Sequence, residues 1–426
     1  MKEDFLHYIW QFQYFEKGGL KLDSGEKLNI LKPGFKNSDA GPDFKEAKII
    51  IGEVEWAGHV EIHLSSSDWK AHRHEQDPAY NNVILHVVWK NNAEAIREDG
   101  TPIPTLSLEK LTDPTLLYRY EYLINQADTI LCSDRLKEVK PISRLAMYDK
   151  AFASRLEEKS AFVFQLLSEN EQNWEESAYQ LLAQNFGFKV NNQAFLHLAK
   201  ALPLKILRKH ADSLAQMEAL VFGQAGFLDT EPTDEYQQAL QKEYRFLAHK
   251  YRLGSKKIDK VEWKFARLRP ANSPTLRLAQ FAALLQKEIS ICSRLIFSGG
   301  LGKLEKAFEA EASAYWKTHY NFGKKGQKSF AKLGKGSRDI LIINTVIPVL
   351  EAYAAFKDQA QYHERAVEFL ERLKPENNKI TREWKALGIE IKSAYDSQAL
   401  LGLYRSFCEQ KKCLSCNIGV EILGKK

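Results

Sequence analysis

Histidine is concentrated in one stretch near the start of the chain, HVEIHLSSSDWKAHRHEQDPAYNNVILHVVW, at residues 59–89. The chain has eleven histidines, and this stretch contains His59, His63, His72, His74 and His86. Imidazole is a common metal ligand and transfers protons near neutral pH. The stretch is therefore either a metal or catalytic site, or a polar face that is rich in histidine.

Asp43, Glu61 and His63 have the types and spacing of a hydrolytic metal site. Asp43 stands at the start of one predicted strand, FKEAKIII, and Glu61 lies within the next, GHVEIHL, so a hairpin brings the two carboxylates together. Alternation in GHVEIHL places Glu61 and His63 on one face, roughly 6.6 Å apart along the strand. We predict that Asp43 and Glu61 bind Mg²⁺ or Mn²⁺ for phosphodiester hydrolysis, and that His63 assists the attacking water. The competing interpretation is a turn aspartate beside a solvated strand face.

This arrangement resembles the PD-(D/E)XK nuclease superfamily, in which Pro-Asp opens one strand and Glu-x-Lys lies on the next. The resemblance covers roughly residues 4–89, and it implies an αβββαβ core with metal-dependent nuclease activity. His63 departs from the pattern, because it occupies the place of lysine and lacks lysine's permanent charge near neutral pH. The helical acid of some members has only Glu3 and Glu16 as candidates by position.

The H-x-H pair of His72 and His74 supports a different interpretation, a histidine-based zinc hydrolase. Zinc binds histidine and aspartate, and Asp77 and His86 lie close by in sequence. Residues two apart face away from each other on a regular helix, so joint ligation requires irregular backbone. A third possibility is that His72 and His74 only line a phosphate-binding cleft, while His86 is a core histidine.

The five cysteines are too few and too unevenly placed for a secreted disulfide framework. Cys408, Cys413 and Cys416 form a compact C-x4-C-x2-C pattern, and Cys132 or, second, Cys292 would supply a fourth ligand. Four thiolates suit either tetrahedral zinc or an iron–sulfur cluster. We predict a zinc or iron–sulfur site at Cys132 and the C-terminal trio. A few nucleases of the superfamily named above carry a cluster with a similar layout, although their lone cysteine usually precedes the nuclease core.

Positive charge is concentrated between Arg252 and Arg338, which contain 19 Lys or Arg and six Asp or Glu, although the whole chain has a net charge of only +6. Residues 316–338 contain no acid, and their basic residues alternate with aromatic ones. Such a region favours a polyanionic partner, with cations on phosphates and rings on unpaired bases. The alternative to a polyanion-binding surface is a solvent-exposed lysine-rich face that covers aromatic core residues. We predict DNA or RNA as the partner, with these substrate-binding residues: His72, His74, Arg267, Arg269, Lys324, Lys325, Lys328, Lys332, Lys335 and Arg338.

The elements that position these residues follow from hydrophobic periodicity. The first part of the chain reads as helix, three strands, short helix and strand, and helical periodicity dominates from about residue 140. We predict an α+β fold with an αβββαβ nuclease-like module at 1–125, an all-helical domain with basic loops at 126–400, and a cysteine-bearing tail at 401–426 packed on the body. No run of eighteen apolar residues and no basic-then-apolar leader is present, so we expect a cytoplasmic protein without a membrane span.

Longer blocks of sequence resemble a bacterial family known as domain of unknown function 2851. They include NSDAGPDF, WKFARLRPANSPTLRLAQ, SAYWKTHYNFG and INTVIPVLEAY, together with the histidine-rich stretch. The resemblance runs over nearly the full chain and implies no established activity. Three hypotheses therefore stand: a metal-dependent nuclease or its degenerate relative, a non-catalytic nucleic-acid-binding or scaffold protein, and a histidine-based zinc hydrolase.

Overall fold

The structure is a computed structural model that describes residues 2–37, 39–287, 290–326 and 329–424. Helices make up 56% and strands 12% of it, so the predicted α+β fold class is confirmed. The chain forms two compact units: unit 1 comprises Met1–Met147 with Tyr404–Lys426, and unit 2 comprises Tyr148–Leu403. The cysteine-bearing C-terminal segment thus belongs to the same unit as the N-terminal sheet.

Unit 1 is built on a mixed β-sheet. Its strand order is β1-β3-β4-β5-β6, with β2 beside β3. The elements are α1 (Glu3–Phe12), β1 (Leu28–Lys32), β2 (Phe35–Lys36), β3 (Phe44–Ile51), β4 (Val54–Ser65), α2 (Asp68–Ala71), β5 (Val83–Lys90), β6 (Thr105–Ser107) and α3 (Pro114–Ile124). The pairs β1/β3 and β3/β4 are antiparallel, whereas β4/β5 and β5/β6 are parallel. A parallel pair needs a crossover, and α2 lies in the one that connects β4 to β5.

The hairpin between β3 and β4 fixes the register on which the site depends. A tight turn follows Ile51, and Gly52 takes a left-handed φ of 61° there, which glycine adopts without a Cβ clash. Phe44 pairs with Val60 across the two strands, with a register shift between Phe44 and Ala47. Because the strands are antiparallel, Asp43 lies opposite Glu61. A bulge of this kind re-aims side chains, and such bulges are common next to active sites.

Both faces of the central strands are covered. β5 is buried from Val83 to Val88, as expected for a nearly continuous apolar strand. Phe5, Ile9 and Trp10 of α1 are buried, and α1 contacts β4. A polar side chain in the middle of β4 or β5 is therefore enclosed and needs a polar partner.

Unit 2 is a helical unit with one small β-hairpin. After α4 (Pro141–Glu169), its elements are α5 (Trp174–Phe186), α6 (Asn192–Ala201), α7 (Leu204–Leu207), α8 (Leu214–Gln224), α9 (Glu235–Tyr251), α10 (Pro274–Lys287), α11 (Ile291–Phe297), α12 (Leu301–Ala307), β7 (His319–Asn321), β8 (Lys324–Lys325), α13 (Lys335–Leu341), α14 (Ile347–Lys357), α15 (Ala360–Arg372), α16 (Lys379–Ala386) and α17 (Ala394–Leu403). Asn173, Ser213 and Asp234 cap α5, α8 and α9 by accepting backbone N–H groups. The chain then returns to unit 1 through a π-helical segment, Tyr404–Cys408, and α18 (Asn417–Gly424).

The helical run Lys335–Lys357 is the one segment of the described chain that is long and apolar enough to cross a bilayer. The mean hydropathy of its most apolar window is 1.6, and 67% of that window is buried inside the structure. A buried core helix passes the same test of length and composition, so this run is weak evidence for a membrane span.

A substitution at Gly58 tests the close approach of β4 to β5. A Cβ at this position would lie 2.5 Å from Ile84 Cγ2 and 2.6 Å from the backbone oxygen of Asn82. Overpacking of this kind typically costs about 1–3 kcal/mol. We expect Gly58→Ala to accelerate hydrogen exchange of the β4 and β5 amides by about 10- to 100-fold. In the control Gly18→Ala the added Cβ meets nothing within 4 Å, and equal exchange rates in both variants would contradict the packing described.

Candidate metal and active site

Asp43 and Glu61 lie side by side and are bound to each other's strand. The Asp43 backbone N–H donates to Glu61 Oε2 at 3.0 Å, and the Ile62 N–H donates to Asp43 Oδ2 at 3.0 Å. Each carboxylate therefore accepts a backbone hydrogen bond from the segment that carries the other one. The structure brings together the two acids that the sequence pattern singled out.

Helix α1 adds two groups to these acids. His7 Nε2 lies 3.2 Å from Asp43 Oδ2. Burial raises the pKa of Glu3, and the charges of Asp43 and Glu61 raise it further, which places Glu3 near the same acids. Glu16, the other helical acid considered, is exposed. Sequence reasoning missed His7, although the i, i+4 spacing of Glu3 and His7 places them on one helical face and would have revealed it.

His63 is the centre of an imidazole cluster rather than part of a solvated face. Its exposed fraction is 2%, and that of Glu61 is 5%. His63 Nδ1 and His86 Nε2 are 2.9 Å apart, and His63 Nε2 and His72 Nδ1 are 3.1 Å apart, so both ring nitrogens of His63 are hydrogen-bonded. His86 is fully buried, and its bond to His63 provides the polar partner that a core histidine needs.

The backbone between His72 and His74 is irregular, and this irregularity lets both imidazoles approach His63. Helix α2 ends at Ala71, Arg73 has a left-handed φ of 60°, and a 3-10 turn begins at His74. This reversal brings both imidazoles to His63, so that one ring nitrogen from each of the three lies within 4.8 Å of the other two. Glu61 Oε1 is 3.4 Å from His74 Nε2 and 3.7 Å from His63 Nε2.

Burial disfavours the charged form of two histidines in this cluster. Burial, together with the neighbouring imidazoles, lowers the pKa of His63 to about 2 and that of His86 to about 3. Burial also raises the pKa of Glu61, an effect that the hydrogen bond with His74 opposes. A neutral imidazole offers a lone pair to a metal but cannot supply the positive charge of a lysine. His63 therefore fits the role of a metal ligand.

The donor set fits a divalent transition metal. Carboxylate oxygens and several imidazole nitrogens suit Mn²⁺, Fe²⁺ or Zn²⁺, whereas Mg²⁺ prefers oxygen ligands alone. His74 Nε2 is buried and faces the Glu61 carboxylate. His72 is the exposed member of the three converging histidines, so solvent reaches the cluster from its side.

The predicted substrate-binding residues of unit 2 lie at its surface and are partly paired with acids. Arg338 bonds Glu309 at 2.8 Å, and Lys332 lies 3.7 Å from Glu311. Lys335 lies 3.9 Å from a third acid in this segment, Glu305. Lys328 is outside the described residues. The remaining members are exposed: Arg267, Arg269, Lys324 and Lys325.

The aromatic rings of the same region divide between core and surface. Trp316 and Phe322 are buried in the core of unit 2. The interpretation of these two rings as stacking surfaces for bases is therefore wrong. His319 and Tyr320 are half-buried.

The fold and site define an α+β protein with a buried cluster of carboxylates and imidazoles on its N-terminal sheet. The chain belongs to the family described as protein of unknown function (DUF2851), whose model matches residues 3–379. No curated protein and no solved structure shows significant similarity to the chain. The C-terminal cysteine trio lies beyond the matched residues.

The lowered pKa values of His63 and His86 predict that metal-free unit 1 loses stability in acid. In the unfolded chain both titrate near 6.5, whereas in the folded state they titrate at about 2 and about 3. Between these values the unfolded state binds more protons, so the free energy of unfolding falls as pH falls. In this window each histidine lowers the free energy of unfolding by about 1.4 kcal/mol for every unit by which the pH falls. Glu61 offsets part of this loss, because its raised pKa acts in the opposite direction.

To test this prediction, chelator-treated protein is unfolded with urea at several pH values between 6 and 4. Hydrogen exchange of the β4 amides is the readout. The Glu61→Gln variant should show a steeper loss of stability with acid, because the opposing carboxyl group is removed. A free energy of unfolding of β4 that does not change with pH would contradict the burial of neutral histidines.

Proposed function

We propose that the protein is a divalent-metal-dependent phosphodiesterase that cleaves nucleic acid at the Asp43–Glu61 cluster. The observation that carries this proposal is the approach of Glu61 to His63 and His74, with the Asp43 carboxylate beside Glu61. Asp43, Glu61 and the histidines His63, His72 and His74 would hold the metal. A bound divalent cation would polarise the phosphodiester and lower the pKa of the attacking water.

The chain's own groups divide the remaining tasks. Glu61 Oε1 faces His63 and His74, which orients this oxygen toward the imidazoles. His86 holds the ring of His63 through its Nδ1 atom, the kind of supporting contact that fixes a metal-binding histidine. His7 Nε2 lies 3.2 Å from Asp43 Oδ2 and is placed to orient that carboxylate.

The topology also supports a nuclease-like module. Helix α1, three antiparallel strands and a crossover to the parallel strand β5 follow the order expected from the resemblance to PD-(D/E)XK nucleases. Exposed cations in unit 2, including Lys324, Lys325, Arg267 and Arg269, favour a polyanionic substrate. Because position 63 is histidine and not lysine, the bound metal would stabilise the negative charge that develops on the phosphodiester.

Cleavage assays with matched variants test the proposal. We expect purified protein to cleave DNA or RNA with Mn²⁺, and Glu61→Gln or Asp43→Asn to reduce the rate by at least about 100-fold, because each removes a metal ligand. Glu55→Gln on the exposed end of the same strand is the control and should retain full activity. Binding of nucleic acid without cleavage under any divalent metal would support the non-catalytic alternative. Cleavage that survives Glu61→Gln would place the active site elsewhere.

A histidine-based zinc hydrolase is the second candidate, and the close approach of His63, His72 and His74 favours it. This centre would act on a small ester. Zinc-dependent hydrolysis of a chromogenic phosphate ester, with intact DNA and RNA, would select this candidate over the nuclease.

Two substitutions at Arg73 test whether its left-handed backbone assembles the cluster. Both Arg73→Gly and Arg73→Ile remove the guanidinium, but only glycine adopts a φ of 60° without strain. The left-handed conformation costs an L-residue roughly 1–2 kcal/mol, and a β-branched residue is the least tolerant. We expect Arg73→Gly to keep wild-type Mn²⁺ affinity and Arg73→Ile to lose about tenfold, as measured by calorimetric titration. Equal affinity in the two variants would show that this turn does not position the ligands.

A further inference from the structure

The four cysteines of unit 1 come from two segments that bracket unit 2. Cys132 lies between α3 and α4, before the chain enters unit 2. Cys408, Cys413 and Cys416 follow soon after the chain returns from it. None of the four is part of a disulfide.

The four thiols lie within electrostatic range of one another. Cys132, Cys413 and Cys416 each raise the pKa of Cys408. Cys413 and Cys416 raise the pKa of Cys132, and Cys416 also raises that of Cys413. These interactions place the four thiols in one neighbourhood, but no three of their sulfurs, all in the described part of the chain, lie within 4.8 Å of one another. Cys292 is also buried but lies in unit 2, and its pKa is affected by burial and by Glu175 rather than by any of these four.

The cysteine trio lies in tight turns, and α18 packs closely against one of them. The Cys416 N–H donates to the Cys413 carbonyl at 3.3 Å, and the Lys411 N–H donates to the Cys408 carbonyl at 3.0 Å. A Cβ at Gly419 would lie 2.2 Å from the Cys413 carbonyl oxygen, so α18 approaches this turn closely enough to require glycine. Compact turns of this kind are how closely spaced cysteines direct their sulfurs to one point.

The C-terminal segment is also bound to the chain that follows Cys132. The Lys140 N–H donates to Glu421 Oε1 at 2.9 Å, and the Asn417 N–H donates to Met147 Sδ at 3.3 Å. These contacts fix the trio relative to the segment that carries the fourth cysteine. The side chains of Cys132, Cys413 and Cys416 are 7–8% exposed, which shields them from water and oxidants.

We infer that Cys132, Cys408, Cys413 and Cys416 form a tetrathiolate metal centre that joins the two segments of unit 1 on either side of unit 2. Four thiolates are the ligand set of structural zinc, which holds its sulfurs ~3.8 Å apart, and of iron–sulfur clusters, which hold theirs farther apart. The wider spacing of these four sulfurs favours a cluster. A metal would also stabilise the thiolate form of these cysteines, three of which are buried while Cys408 is half-buried. The centre is structural and independent of the histidine cluster, so it does not rest on the proposed nuclease activity.

The function of this centre is to retain the C-terminal segment. Residues 404–424 contain short helices and turns, whose stability as separate elements is low. A metal bound to Cys132 and the trio would attach residues 404–424 to the part of unit 1 that precedes unit 2 in the sequence. Loss of the metal should therefore loosen residues 404–424 and leave the core helices of unit 2 protected.

Metal analysis of anaerobically purified full-length protein tests the inference. We expect either one zinc per chain, or iron with acid-labile sulfide and a broad visible absorption, and the two outcomes identify the type of centre. Cys413→Ser and Cys132→Ser should lose this metal. Cys292→Ser is the matched buried control and should retain it, and His63→Ala should also retain it even if the histidine site is empty.

A second measurement on the wild-type chain covers the case in which the cysteine variants fail to fold. With metal bound, an alkylating reagent should leave Cys132, Cys408, Cys413 and Cys416 unmodified. After chelation these four should become reactive, and hydrogen exchange over 404–424 should accelerate. Protein that contains neither zinc nor iron, takes up neither on reconstitution with zinc or with iron and sulfide, and shows the same thiol reactivity throughout would overturn the inference.

Discussion

The reciprocal hydrogen bonding of Asp43 and Glu61 is the constraint on which the N-terminal site depends. Each carboxylate accepts a backbone N–H from the other's strand, and this fixes the acids next to each other in a mostly buried place. Two like charges held in this way repel each other and lose hydration, at a cost of several kcal/mol per buried ion. Protonation or a bound cation relieves that cost. We propose that a divalent metal has this role, because the lowered pKa values of His63 and His86 mean that these two imidazoles supply no positive charge.

Local pattern was sufficient to predict the strands and the two acids, because strand alternation and turn residues are encoded within a few positions. FKEAKIII is β3 at the bounds predicted, and the Asp43–Glu61 contact follows from the hairpin register. The left-handed turn at Arg73 could not be predicted, because no residue type in that stretch requires a positive φ. The acids Glu305, Glu309 and Glu311, which pair with the basic region, lie outside the acid-free stretch and become its neighbours only in the tertiary structure.

The fold separates two kinds of chemistry within unit 1. Carboxylates and imidazoles from α1, the start of β3, β4 and the α2 turn lie together at the sheet, whereas the four cysteines come from the two segments that bracket unit 2 in sequence. Oxygen and nitrogen donors favour an exchangeable hydrolytic metal, and four thiolates favour a retained structural one. The family match ends before the cysteine trio, so retention of the C-terminal segment is argued from this chain's own residues.

The central claim is that the carboxylate–imidazole cluster binds a divalent metal. Anomalous diffraction from a crystal soaked in Mn²⁺ tests it most directly, because the peak locates the ion without reference to activity. We predict a peak within bonding distance of Glu61 Oε1 and of ring nitrogens from at least two of His63, His72 and His74. A map without a peak there, in which His63 remains hydrogen-bonded to His72, would contradict the claim.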